Sequence, residues 1–287
     1  KTTFSATLGL KFSKEGKTLV ASLDPAHNLG DVFQVELSGK ERKVSENLYA
    51  VEVDLDKAVK DYIGKLESSL KHTYRYLTVI NLDKYFEVLR NYPGVEESAL
   101  LEAIMGLMRK EYDTIIFDTP PTGLTIRILA LAEMTLIWLD KLIEIRKKIL
   151  ERRKAVKNIQ GEICIVIDGE KYEVPSEEED DAVLREMRAY RREVESFVSS
   201  LRDRNTSTFY AVLNPEPLSI NETRRIAKTL REMKINLDAV VINKFAEGEF
   251  SRKIEEEFRQ CKIYRIPVFE NPIGLDGLKR IAQHVGD

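Results

Sequence analysis

The stretch that most constrains this chain is Tyr112-Asp113-Thr114-Ile115-Ile116-Phe117-Asp118-Thr119-Pro120-Pro121-Thr122-Gly123, an apolar run that ends in an acid and then in a stiff, turning loop. A short run of β-branched and aromatic residues bounded by Pro and Gly predicts a buried parallel strand. Asp118 then falls at its carboxyl end, where open α/β sheets place their ligands. A carboxylate there can direct a metal; it can equally cap the following helix.

Two other stretches bear on that choice. The chain opens on Lys1-Thr2-Thr3 and continues with apolar residues at 4, 8 and 12, a helical spacing. A helix starting on Lys-Thr-Thr is similar to the end of a phosphate-binding loop, in which glycines let backbone N–H groups approach phosphates, the lysine reaches the β and γ phosphates and the next hydroxyl binds magnesium. The glycines of such a loop would precede Lys1; either they lie upstream of this numbering or the molecule lacks them. A second buried strand, Thr18 to Leu23, ends in Asp24-Pro25-Ala26-His27-Asn28-Leu29.

Together these three segments resemble the arsenite-pump (ArsA) and tail-anchored-protein-targeting ATPase family, dimeric P-loop ATPases with a deviant phosphate loop. The resemblance runs in order along nearly the whole chain. Residues 24 to 31 match the first switch loop closely, and 118 to 127 match the second, except that Pro120 and Leu124 stand where the family usually has Ala and His. The resemblance implies that Lys1, Thr2 and Thr3 bind phosphate, that Thr2 and Asp118 serve magnesium, and that Asp24 orients or activates the attacking water. Phosphoryl transfer asks for little else, because it depends on charge neutralisation and a positioned water. His27 is either a hydrogen-bonding loop residue or a contact to nucleotide or switch.

Further along, Leu48 to Asp54 predicts a strand. Helices are predicted with apolar residues at 55, 59, 62, 66 and 70, then over Leu82–Leu89 and over Ser98–Met108. After the second switch, Met134, Trp138, Leu142, Ile145 and Ile149 form one apolar helical stripe, and Leu136, Leu139, Ile143 and Leu150 a second beside it. Such a helix buries two faces, or buries one and shows the other to a partner. Its tail, Arg146 to Lys154, is strongly basic and predicts a solvated helix end rather than a nucleic-acid patch, since no aromatics interleave the charges. Residues 163 to 174 read as a hairpin turned on Asp168-Gly169. Ser176 with Glu177, Glu178 and Glu179 reads as a capping box opening a helix with apolar positions 184, 187, 194, 198 and 201.

The last third returns to strands at Thr208–Leu213, Leu237–Lys244 and Ile263–Phe269, with a helix over Ser219–Met233 between the first two. Asn243 ends one of these strands, and its amide can pair with the donor and acceptor edge of adenine or simply form a turn. The resemblance assigns Asn243, Pro267, Val268 and Phe269 to the nucleotide, with residues 270 to 272 as a loop covering the base.

The expected fold is α/β: a mostly parallel P-loop NTPase sheet of six to eight strands flanked by helices, within one ATPase domain over 1–287. A helical insertion subdomain is expected from about 55–108 and 124–205. ATP and Mg2+ are the implied cofactors. The implied partners are a second copy of the chain in a homodimer and a hydrophobic transmembrane-segment client, or else a membrane receptor or pump. With 45 Lys and Arg against 48 Asp and Glu, bulk charge gives no reason to expect a nucleic acid. No uninterrupted apolar run approaches roughly 20 residues, so the chain is expected not to span a membrane itself. Two separated cysteines, Cys164 and Cys261, make neither a disulfide framework nor the Cys-x-x-Cys zinc clamp of the tail-anchored-targeting members, which favours a cytoplasmic setting. Nor do they make the thiolate cluster that soft metalloids require. A soluble ATPase subunit of an arsenite or antimonite efflux pump and a nonhydrolysing nucleotide-dependent scaffold remain as alternatives.

Overall fold

The computed structural model describes residues 1–26, 28–73, 88–89, 92–161, 164–167 and 170–285. In chain order the elements are α1 (Thr2–Phe12), β1 (Thr18–Ser22), α2 (Leu29–Phe33), β2 (Arg42–Ser45), β3 (Leu48–Glu52), α3 (Leu55–Thr73), α4 (Val95–Met108), β4 (Thr114–Asp118), α5 (Thr122–Gln160), β5 (Cys164–Ile167), β6 (Glu170–Glu173), α6 (Ala182–Arg202), β7 (Tyr210–Leu213), α7 (Pro217–Glu232), β8 (Ala239–Phe245), α8 (Glu249–Glu257), β9 (Lys262–Pro267) and α9 (Gly274–Ala282). His27, the predicted helix over Leu82–Leu89 except its last two residues, and the Asp168-Gly169 turn lie outside the described residues.

β1 is buried at all five positions, as its unbroken apolar run predicts for a central parallel strand. It pairs in parallel with β3 on one side and β4 on the other, and β2, which the sequence reading did not find, adds antiparallel at the edge. β7, β8 and β9 form a second, wholly parallel sheet. The seven strands match the expected mostly parallel α/β class, in two hydrogen-bonded sheets. Side chains bind the two: Ile116 of β4 packs into the same cluster as Phe4 and Leu8 of α1, Tyr210 and Val212 of β7, and Val241 of β8. α1 therefore lies across both sheets, which fixes its first turn over the carboxyl ends of the strands.

On the opposite flank the helices make their own core. Leu100, Leu101 and Ile104 of α4, Ile128 and Ala132 of α5, and Val194, Phe197 and Val198 of α6 form one buried cluster, to which Leu23 and Phe117 at the sheet ends also belong. α5 begins directly after Pro121, so most of the segment expected to be a second switch loop is helix. The Pro121 carbonyl accepts the Leu124 and Thr125 N–H groups, and the Thr125 hydroxyl donates to the Pro120 carbonyl over 3.0 Å. Pro120 and Pro121, with no N–H groups to give, suit the short lead-in to such a helix start.

One expectation is corrected around α6. The helix opens on Asp181, whose carboxylate accepts the Leu184 N–H over 2.7 Å, and not on Ser176. The basic tail of α5 is largely exposed, as expected of a solvated end, and its charges are paired. Arg146 pairs with Asp181, Lys147 with Glu178 and Lys154 with Glu177, while Arg153 donates to the Pro175 carbonyl. The acidic run meant for a first helical turn is held as a strap along α5, because long-range pairing outcompetes the local cap.

α5 also decides between the two apolar stripes. Leu139 and Leu150 of the second stripe are buried and Leu136 packs against the helical core, whereas Met134, Trp138, Leu142, Ile145 and Ile149, the whole of the first stripe, are exposed. By length and composition α5 could cross a membrane, as no other helix among the described residues could, and 22% of its most apolar 18-residue stretch is buried.

Candidate functional site

Asp118 ends β4 fully buried, level with Ser22 at the end of β1. It does not cap α5. Its carboxylate turns to α1, accepting the Thr2 hydroxyl at 2.7 Å and the Ser5 hydroxyl at 3.3 Å. Burial pushes the Asp118 carboxyl above its ordinary value, against the opposing pull of the Thr2 hydroxyl, the Lys1 charge and the Ser5 hydroxyl. A buried carboxylate whose partners leave its charge undercompensated, beside a hydroxyl on a helix N-terminus, is a donor set that suits a small hard cation such as magnesium. Among the described residues no group of three or more His, Cys, Asp or Glu could hold a metal unaided.

Lys1 joins the remaining parts. Its ammonium donates to the Thr119 carbonyl in the loop after β4 and stands 3.5 Å from Asp24 Oδ2. Asp24 follows β1 by two residues, and its other oxygen accepts the Ala26 N–H at 3.1 Å, a turn that fixes the loop's first bend. The loop's far end is tied down by Glu52, a buried residue at the end of β3 that accepts the Gly30 N–H at 2.9 Å. Only glycine fits there, since a Cβ at Gly30 would lie 2.8 Å from the Val35 carbonyl oxygen.

On the other side of Lys1 opens a cavity of about 200 Å³ lined by Lys1, Thr3, Asn243, Pro267, Val268 and Phe269, among others. Lys1, Thr3, Asn243, Pro267, Val268 and Phe269 thus converge on this one cavity, and of the loop expected to cover the base Pro272 joins them; Thr2, Glu270 and Asn271 are not in the lining, and Thr2 is bonded to Asp118 instead. Sequence reasoning missed Ser5, Glu52 and Asn214. Ser5 lies three residues after Thr2 on α1, so helical spacing alone could have placed it beside Asp118. Asn214 follows β7 and accepts an N–H of the Asn243 amide over 3.1 Å, a contact across strands that nothing in the local sequence announces.

Cys261 is buried and donates its thiol to the Leu237 carbonyl over 3.2 Å; burial pushes its pKa up, which keeps it a poor ligand.

A family profile described as "Anion-transporting ATPase" matches residues 1–250. The chain is 30% identical over 304 residues to the "Putative arsenical pump-driving ATPase 2" of Aquifex aeolicus, covering 99% of this chain and 94% of that one. It is similarly related to "ATPase ASNA1 homolog 1" of Paramecium tetraurelia, at 29% identity over 99% and 88% of the two chains. Against "ATPase get3" of Aspergillus terreus the identity is 27%, over 98% and 86%.

Proposed function

This chain belongs to the anion-transporting ATPase family, and on that premise we propose that it is a magnesium-dependent, cytoplasmic, homodimeric ATPase that couples nucleotide-driven closure to the capture of a hydrophobic helix. Lys1, Thr2 and Thr3 hold the phosphates, Thr2 and Asp118 the metal, and Asn243, Pro267, Val268 and Phe269 the base. Bound magnesium nucleotide supplies the phosphoanhydride to be hydrolysed and a counter-charge for its phosphates. Asp24 orients the attacking water through its carboxylate, and Lys1, already 3.5 Å from it, keeps that loop close to the phosphate position. Ser5 holds Asp118 in place from the next turn of α1.

The observation that carries the coupling is covalent. Asp118 ends β4, and only three residues, two of them prolines, separate it from the start of α5 at Thr122. A linker this short and stiff passes any shift of the Asp118 loop to α5, and α5 bears the exposed stripe of Met134, Trp138, Leu142, Ile145 and Ile149. That stripe offers a helix-in-groove contact to an apolar client, such as a membrane segment, in a helical subdomain built from about 55–108 and 124–205. Relatives named for ASNA1 and get3 support the targeting reading; those named for arsenical pumps support a second, in which the ATPase drives an efflux pump. ATP turnover measured with and without a soluble apolar-helix peptide tests the proposal. Client-dependent turnover supports it, and absence of any hydrolysis would leave only the nonhydrolysing scaffold.

A further inference from the structure

β7 and β8 run in parallel with Leu213 beside Ile242, so Asn214, just past β7, and Asn243, within the last three residues of β8, come together toward the carboxyl ends of these strands. There the Asn243 Nδ2 donates to Asn214 Oδ1 over 3.1 Å. Asn243 lines the cavity shared with Lys1 and Phe269, and Asn214 stands behind it, outside the lining. We infer that Asn214 is a specificity-determining positioning residue, which selects adenine over guanine by holding one N–H of the Asn243 amide.

A primary amide has two N–H groups and one carbonyl oxygen. With one N–H given to Asn214, Asn243 can offer the cavity one N–H and its Oδ1, a donor beside an acceptor. Adenine presents the complement, a ring nitrogen acceptor beside the N6 amino donor. On the same N7 edge, guanine presents two acceptors, N7 and O6, so the discrimination applies to a base read along that edge. To serve guanine, the amide would have to turn both N–H groups forward, which requires breaking the bond to Asn214; left in place, Oδ1 would face O6 with no proton between them. The alkyl and aromatic neighbours Val268 and Phe269 add stacking area that does not distinguish the two purines.

This inference rests on the proposed placement of the base at Asn243, and the experiment separates the two. Affinities of the full chain for the nonhydrolysable β,γ-imido analogues of ATP and GTP, with magnesium, are measured by titration calorimetry for the wild type and for Asn214→Leu, Asn214→Ala, Asn214→Asp and Asn243→Leu. Asn214→Leu and Asn214→Ala are expected to lower the ATP-over-GTP preference by about tenfold. Asn214→Asp, which keeps an acceptor at the same place, is expected to retain it. If Asn243→Leu erases the preference while both Asn214 truncations leave it intact, the base is where proposed and the role of Asn214 is refuted. If Asn243→Leu also leaves it intact, the base lies elsewhere and both statements fall.

Discussion

The Thr2 hydroxyl donates to Asp118 Oδ2 over 2.7 Å across 116 residues of sequence, and so locks the first turn of α1 to the end of β4. The bond joins the two groups expected to share a metal, and it places them in a pocket that holds the carboxylate against its own preference for water.

That preference gives the first prediction. Because burial raises the Asp118 pKa in the fold, its contribution to stability is fullest below the unfolded value of 3.8 and is lost as pH rises through the folded value. At neutral pH the buried carboxyl is thus a cost to the nucleotide-free protein. Asp118→Asn should therefore raise its melting temperature at pH 7 while lowering ATP hydrolysis at least about a hundredfold. A melting curve and a turnover assay on the same preparation check both halves.

The strap along α5 predicts the opposite sign. Burial works against the Asp181 charge, but the Arg146 guanidinium and the Leu184 N–H outweigh it and hold the carboxyl below its ordinary value. Its stabilisation is thus present above the unfolded value of 3.8 and lost as pH falls through the lower folded value. Asp181→Asn keeps an acceptor for the cap but removes the carboxylate charge that Arg146 pairs with, and should cost about 2 kcal/mol at pH 7 by urea denaturation, with the gap to wild type closing below pH 3.8.

Trp138 and Ile145 are 63% and 53% exposed, so they are not core within this chain. Trp138→Ser or Ile145→Ser should change stability by no more than about 0.5 kcal/mol. Basal hydrolysis should hold while co-purification of an apolar-helix client falls. A loss of 2 kcal/mol or more would show that these side chains are packed after all.

Arsenite and antimonite should leave hydrolysis essentially unchanged, since Cys261 spends its thiol on the Leu237 carbonyl inside the core and the sequence has only one other cysteine. Tenfold stimulation that vanishes in Cys261→Ser or Cys164→Ser would favour the pump reading instead.

What the sequence made legible were features with a local physical cause. An apolar run closed by an acid marks a strand end, which is why Asp24 and Asp118 could be placed, and a repeat of 3 to 4 residues marks a helix face, which is why both stripes of α5 were visible. Contacts made across the fold were hidden. Glu177 and Glu178 carry a capping signature, yet the basic tail of α5 claims them. Asn214 resembles any turn residue until β7 and β8 bring it to Asn243. β2 is short and polar, with no apolar period to betray it. Which α5 stripe is covered also depended on where α4 and α6 came to rest.

The most direct test of the account is ATP binding and turnover in Asp24→Asn. Asp24, two residues past the end of β1, stands 3.5 Å from Lys1, and its proposed part is to orient the attacking water and not to hold the base. ATP affinity should stay near the wild-type value while turnover falls at least about a hundredfold, the loss of several kcal/mol of transition-state stabilisation. Unchanged turnover would contradict the assignment of this site.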